Sequence, residues 1–228
     1  MRVDYREDGY RQEVDKSIAF IGKGVDFFTE VKARCLQDIA KRLLGDVRRL
    51  KVLDIGCGVG LTDSFLTQSF GDLHGVDITQ LSIDSASENN PSVHYQVYDG
   101  KVLPFADATF DLAFAVNVMH HVPPDAWHGF MKEMGRVVRK GGLGVVFEHN
   151  PFNPLTRLAV FRCSFDADAV LLRRSVMARI FRQQGLDPVE QRYILFTPFR
   201  SGILKAAEAR LGWLPIGAQY YIAAAKPL

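Results

Sequence analysis

Apolar and polar positions along this chain fall into blocks whose period switches between helical and extended. From about Val25 to Leu44, the residues Phe28, Val31, Cys35, Ile39 and Leu43 recur at three- and four-residue steps. That spacing predicts a helix with one apolar stripe, stopped by Gly45. Val52, Leu53 and Ile55 then form a short apolar run, as in a strand buried on both faces. Leu73 to Ile78 predicts a second strand. Leu81, Ile83 and Ala86 predict the next helix, which Asn89-Asn90-Pro91 breaks. Val93 to Val97 alternates as a third strand, and Leu112 to Val116 reads as a fourth. Residues 124–138 predict a helix with Phe130, Met134, Val137 and Val138 inward. Gly141-Gly142 turns the chain into a fifth strand, Leu143 to Phe147, ending at Glu148. A basic helix from Arg173 to Gln184, closed by Gly185, precedes two late strands at Val189 to Phe196 and Gln219 to Ala225. Between those strands, Ile203 to Leu211 is amphipathic.

Two stretches lack such a period. Residues 1–23 read as a loose arm with a short apolar patch, Ile18 to Ile21. From His149 to about Leu172 the period is lost again, and Pro151 and Pro154 each follow an asparagine, which favours an extended course. Repeated βα units closing in two strands predict a single open α/β sheet. Residues 1–45 are expected to form an arm and helix acting as a lid, and 46–228 the sheet domain. The 149–172 loop and the 197–217 connection are the expected substrate elements.

The richest stretch is Lys51 to Thr62, where Asp54 ends the first strand and Gly56, Gly58 and Gly60 follow at every second position. Thr62 and Asp63 then read as early-helix polar residues. Glycines here permit a tight turn and let a ligand approach the backbone, and the following helix turns its unpaired N–H groups toward the crevice. A phosphate-cradling loop needs Gly-Lys-Ser or Gly-Lys-Thr, and neither tripeptide occurs. A dinucleotide fingerprint needs a glycine where Leu61 stands, and Asp54 would repel a pyrophosphate. An acid there is better placed to meet a cation. Asp77 lies 21 positions after Gly56, at a strand end from which an acid reaches a ribose hydroxyl pair.

Asp-Ile-Gly-Cys-Gly-Val-Gly closely resembles the first motif of class I S-adenosylmethionine-dependent methyltransferases, over roughly residues 50–150. The resemblance implies a Rossmann-like seven-stranded α/β sheet with helices on both faces and its last strand antiparallel. It implies S-adenosyl-L-methionine as cofactor. Asp54, Gly56, Cys57, Gly58 and Gly60 would form the loop at its methionine part. Asp77 would accept both ribose hydroxyls, a charge-assisted arrangement. Ile78 would pack on the adenine, Asp99 would accept the adenine amino group with Gly100 giving room, and Asn117 and Val118 would meet the amino-acid end. Asp99 also suits a plain Asp-Gly turn. Cys57 reads as filler of a tight turn, since nothing nearby would activate it.

His120-His121 and Glu148-His149 leave neighbouring strands at one edge. The first reading is that they hydrogen-bond loops together. The second makes His120 or His149, with Glu148, a general base acting on the acceptor. A metal site is the third, and no metal ligand set is assigned. At most one histidine of the 120–121 pair is expected to act, because adjacent residues rarely face one ligand.

Composition narrows the rest. A 228-residue chain with formal charge +2 and three widely spaced cysteines, Cys35, Cys57 and Cys163, has no global drive toward nucleic acid and no disulfide or zinc-knuckle pattern. The N-terminus is charged, with no apolar signal core, and no apolar run approaches the roughly 20 residues that span a bilayer. A cytoplasmic protein with no membrane or nucleic-acid partner is expected; the oligomeric state stays open. Arg157, Arg162, Arg173 and Arg174 suit either an anionic acceptor or a solvated face. Phe20, Phe27, Phe28, Phe152, Phe161 and Phe165 would wall an acceptor pocket. Asn117-Val118-Met119-His120 replaces the Asn/Asp-Pro-Pro-Tyr/Phe motif of enzymes that methylate DNA bases. The expected activity is methyl transfer to a small-molecule acceptor. The rivals are a nicotinamide-dependent oxidoreductase and a non-catalytic binding module.

Overall fold

The computed structural model describes residues 7–197 and 210–228. Seven strands form one sheet: β1 Lys51–Ile55, β2 Asp72–Asp77, β3 His94–Val97, β4 Phe110–Val116, β5 Val138–His149, β6 Asp187–Ile194 and β7 Gln219–Ala225. Their order is β3-β2-β1-β4-β5-β7-β6, with β7 alone antiparallel to both of its neighbours. The strand order reverses at β1, so β1 and β4 flank the crevice where such sheets take ligands. The parallel pairings put Asp54 beside Gly75 and Phe114, Asp77 beside Val97, and Val116 beside Phe147. The carboxyl ends of five strands therefore share one edge.

Helices cover both faces: α1 Glu7–Ile18, α2 Val25–Leu44, α3 Leu61–Ser64, α4 Gln80–Asn89, α5 Trp127–Val137, α6 Pro154–Arg162 and α7 Arg174–Gln183. On one face Met131 and Met134 of α5 and Phe181 of α7 pack on Leu53, Ala113 and Val146. On the other, Ala33, Leu36 and Ile39 of α2 pack on Val52, Phe114 and Val145. The central strands are apolar on both sides because both sides are covered.

Four expectations change. The arm is helical: Tyr10 and Val14 of α1, one turn apart, pack on Val25, Val59 and Leu61. The buried face of α2 is Val25, Thr29, Lys32, Leu36, Ile39 and Ala40, while Leu43 is exposed. That stripe is rotated from the expected one because a lysine occupies its middle. The stretch 149–172 contains α6 and a 3-10 turn, Ser164–Asp166. Asn153 caps α6 through Thr156 N–H at 3.0 Å, and Pro154 starts it. Its apolar residues Leu155 and Phe161 face outward, so no inward stripe announces the helix. Strand β5 begins at Val138, the expected last residue of the preceding helix, and runs through Gly141-Gly142 where a turn was expected. The Ile203 to Leu211 stretch lies outside the described residues up to position 209.

Candidate functional site

The glycine turn is built from the strand tips. Gly56 and Cys57 both donate backbone N–H to Val76 O, at 2.8 and 3.0 Å. Gly56, Gly58 and Gly60 all have positive φ, at 81°, 54° and 77°. A Cβ on Gly56 would stand 2.6 Å from Val118 Cγ2, and one on Gly60 would meet Asn90 and Tyr95, whereas Gly58 has nothing within 4 Å. The open face of the turn is therefore at Gly58. Asp77 tethers it: Oδ2 accepts Gly58 N–H at 3.0 Å and Oδ1 accepts Thr79 N–H at 3.0 Å. Each carboxylate oxygen keeps further acceptor capacity.

Ile78, next in sequence, leaves its side chain 65% exposed. Its Cγ2 lies 3.1 Å from where a Gly100 Cβ would be, so a larger residue there would crowd it. Asp99 is exposed, and its Oδ1 accepts Lys101 and Val102 N–H at 2.8 Å each. The Asp-Gly turn is thus formed, and these hydrogen bonds hold the carboxylate below its usual range. A shallow surface hollow lies beside it, between Ile55, Tyr98, Gly100 and Phe130.

Beneath the turn lies a buried carboxyl pair. Asp54 is almost fully buried and Asp63 fully so, and Oδ1 of each has no conventional donor. Burial and the adjacent Asp63 push Asp54 well above the carboxylate range, and burial pushes Asp63 up to about 7. Two carboxyls so placed share a proton. Tyr95 OH donates to Asp63 Oδ2 at 2.7 Å, and Asn90 Nδ2 donates to Gly60 O at 3.0 Å. Lys32, only 5% exposed, faces Asp54 and Glu148 from α2; burial lowers its ammonium to about 8 against their pull. Burial and nearby Asp63 also raise the Cys57 thiol well above normal, which disfavours a thiolate there.

At the β4 tip Asn117 adopts a left-handed φ of 57°, and its buried Oδ1 has no donor. The chain then turns tightly, His121 N–H donating to Val118 O at 3.0 Å and Val122 N–H to Met119 O at 3.2 Å. This turn brings both imidazoles of the pair to one side, with ring centres 4.1 Å apart. Both approach Asp166. Glu148 is fully buried; it accepts Met119 N–H at 2.7 Å and pairs with His120 Nδ1 at 2.8 Å. Burial would lower His120, but Glu148 and Asp166 outweigh it and raise the ring to about 9. Burial and the neighbouring His120 lower His149 to about 3. The ring of His149 lies 4.9 Å from that of His120, and its Nδ1 is 3.4 Å from Gln219 Nε2.

The sequence-predicted site residues thus gather along one edge. Of the arginines, Arg162 lies over Phe20, Arg173 over Phe152 and Arg174 over Tyr193. Of the phenylalanines, Phe27 is buried, Phe165 packs on Tyr10, and Phe161 is 87% exposed. Sequence reasoning missed Tyr10, Lys32, Asp63 and Asp166. Asp63 follows the glycines closely enough to be suspected, and Lys32 interrupts an apolar face. Asp166 stands in a stretch without periodicity and gives no signal.

A family model described as a methyltransferase domain matches residues 52–142. A 2-methyl-6-phytyl-1,4-hydroquinone methyltransferase of Synechocystis is 35% identical over 43% of this chain and 32% of its own length. An uncharacterised methyltransferase of the same organism is 27% identical over 70% of this chain and 75% of its own length. This chain therefore spans about a third of the first relative and three quarters of the second. A structure from Thermotoga maritima, titled a SAM-dependent methyltransferase and possible histamine N-methyltransferase, superposes with a TM-score of 0.68. It covers 97% of both chains at 19% identity, which establishes a common fold.

Proposed function

We propose, from the premise that this chain belongs to the class I S-adenosylmethionine-dependent methyltransferases, that it transfers a methyl group from S-adenosylmethionine to a small-molecule acceptor. The observation that carries this is the open face of Gly58, set between the Asp77 carboxylate and the exposed Ile78. The donor set fits the cofactor. Asp77 has acceptor capacity for ribose hydroxyls, Ile78 offers an apolar surface for a flat base, and Asn117 holds a buried acceptor without a donor. Asp54 and Asp63 between them place negative charge below the turn, where an ammonium group would be favoured.

Bound there, the sulfonium supplies an already activated methyl group. The chain's own tasks are alignment and exclusion of water. Val118, packed on Gly56, fixes the β4 tip relative to the turn. His120 has its ring nitrogens directed at Glu148 and Asp166, so it acts as a positioning residue. His121 and His149 are the rings in this cluster not paired with the Glu148 carboxylate. We assign His149 as the candidate proton acceptor, a weak one since burial and His120 hold it at about 3, and Glu148 keeps His120 in place. We assign α1 as the cover over the donor side, since Tyr10 rests on the glycine turn and Glu13 Oε1 accepts Ser164 N–H at 3.2 Å. Outward-facing Leu155 and Phe161 favour an acceptor with an apolar body, in line with the phytyl hydroquinone named for one relative. Among the described residues no helix is long and apolar enough to cross a membrane.

Calorimetric titration of the full chain tests the reading. Saturable binding of S-adenosylmethionine, with none of NADH or NADPH, is the expected result. Binding of a nicotinamide cofactor alone would overturn it. A metabolite extract screened for products heavier by one methylene, with and without His149→Ala, then identifies the acceptor and checks the proton acceptor.

A further inference from the structure

We propose that His120, His121 and Asp166 form a binding site for a divalent first-row transition metal, with Glu148 orienting the first imidazole. One ligand atom from each of the three residues lies within 4.8 Å of the others. His120 Nε2 is 3.4 Å and His121 Nε2 3.5 Å from the same oxygen, Asp166 Oδ1. These separations are longer than the roughly 2.7–3.2 Å of a hydrogen bond. A tetrahedral ion with bonds of roughly 2.0–2.1 Å holds its ligands about 3.4 Å apart. The two His–Asp separations, which are ion-pair distances, also match the spacing of ligands around an ion.

The surroundings agree. His120 Nδ1 meets Glu148 Oε2 at 2.8 Å, which turns Nε2 toward Asp166. A carboxylate behind a metal-binding histidine fixes its tautomer in this way. Glu148 is itself held by Met119 N–H at 2.7 Å and His149 N–H at 3.2 Å. Asp166 is anchored through its backbone N–H to Cys163 O at 3.1 Å, and Val170 N–H to His120 O at 2.8 Å ties the two segments. The His121 side chain is 44% exposed, so solvent or a ligand reaches the ion. Two imidazoles and one carboxylate, leaving open positions, suit zinc, manganese or iron better than magnesium or calcium.

An acceptor oxygen would take one of the ion's open positions during methyl transfer. That role, unlike the site, rests on the methyl-transfer reading.

The test uses the purified full chain, stripped with a chelator and dialysed. Zinc, manganese and magnesium are titrated by calorimetry, and S-adenosylmethionine is titrated in parallel. Expected is one saturable zinc or manganese ion per chain, with magnesium at least about 100-fold weaker. His121→Ala and Asp166→Asn should each lose at least about tenfold in affinity, and Glu148→Gln about 10- to 100-fold. His94→Ala, on β3, should change nothing. His121→Ala removes a part-exposed ring, so its fold should survive, and circular dichroism checks it. Absence of saturable uptake, or uptake equal in wild type, His121→Ala and Asp166→Asn, overturns the site. Cofactor binding without metal uptake overturns this inference alone; metal uptake without cofactor binding overturns the methyl-transfer reading and leaves the site standing.

Discussion

Gly56 and Gly58 stand two residues apart in one turn, yet alanine at each should fail in different ways. Both have positive φ, 81° and 54°, so each substitution carries the left-handed cost of roughly 1–2 kcal/mol. At Gly56 the added Cβ also meets Val118 Cγ2 at 2.6 Å and Cγ1 at 2.9 Å. Val118 is β-branched and stiff at χ1, so relief requires backbone movement, and such overpacking costs roughly 1–3 kcal/mol. Gly56→Ala should therefore destabilise by about 2–5 kcal/mol, and Gly58→Ala by only about 1–2 kcal/mol. Urea unfolding measures both. Adding Val118→Ala should recover the steric part at Gly56 and nothing at Gly58, a coupling that a double-mutant cycle isolates. Binding should follow the opposite order. The Gly58 methyl would project into the open face, so Gly58→Ala should weaken S-adenosylmethionine by at least about tenfold, near 1.4 kcal/mol. Equal stability losses at the two glycines would refute the packing argument. Unchanged affinity in Gly58→Ala would refute the assignment of that face to the cofactor.

Three further outcomes are expected. Asp77→Asn keeps an acceptor for one backbone N–H but loses the charge. With charge-assisted hydrogen bonds worth about 1.5–3 kcal/mol each, affinity for S-adenosylmethionine should fall roughly 10- to 150-fold, with the circular dichroism spectrum preserved. Asp63→Asn tests the buried carboxyl pair through pH. Asp63 is raised in the folded chain to about 7 from an ordinary 3.8, so its contribution is present below about pH 4 and is lost as pH rises through 7. The melting temperature of Asp63→Asn relative to wild type should therefore climb between pH 4 and 8, and a flat difference would show that Asp63 is not raised in the folded chain. Asn153→Ala removes the cap of α6 and the 2.7 Å bond to Ile216 O; thermal unfolding should drop by about 2–4 °C for each roughly 1 kcal/mol lost.

The sheet was legible because its central strands are buried on both faces, which leaves uninterrupted runs such as Leu112 to Val116. Strand β7 was read to the residue for the same reason. The donor edge was legible because glycine spacing and a strand-end acid record backbone constraints locally. What the sequence hid was tertiary. Tyr10 became meaningful only when α1 folded across the turn. Lys32 takes on meaning only with Asp54 and Glu148 placed opposite it. Asp166 joined the histidines only through the capped helix α6, whose apolar residues face outward and so left no periodic trace.

Helix α1 touches two regions at once: Tyr10 and Val14 lie on Val59 and Leu61, while Glu13 and Tyr10 meet Ser164 and Phe165. A single swing of this segment would uncover the donor crevice and the histidine-bearing tip together. The proposed cover would then synchronise exchange at the two doorways and give turnover a single gate. Clipping the chain before Gly24 should speed release of bound cofactor in stopped-flow measurements.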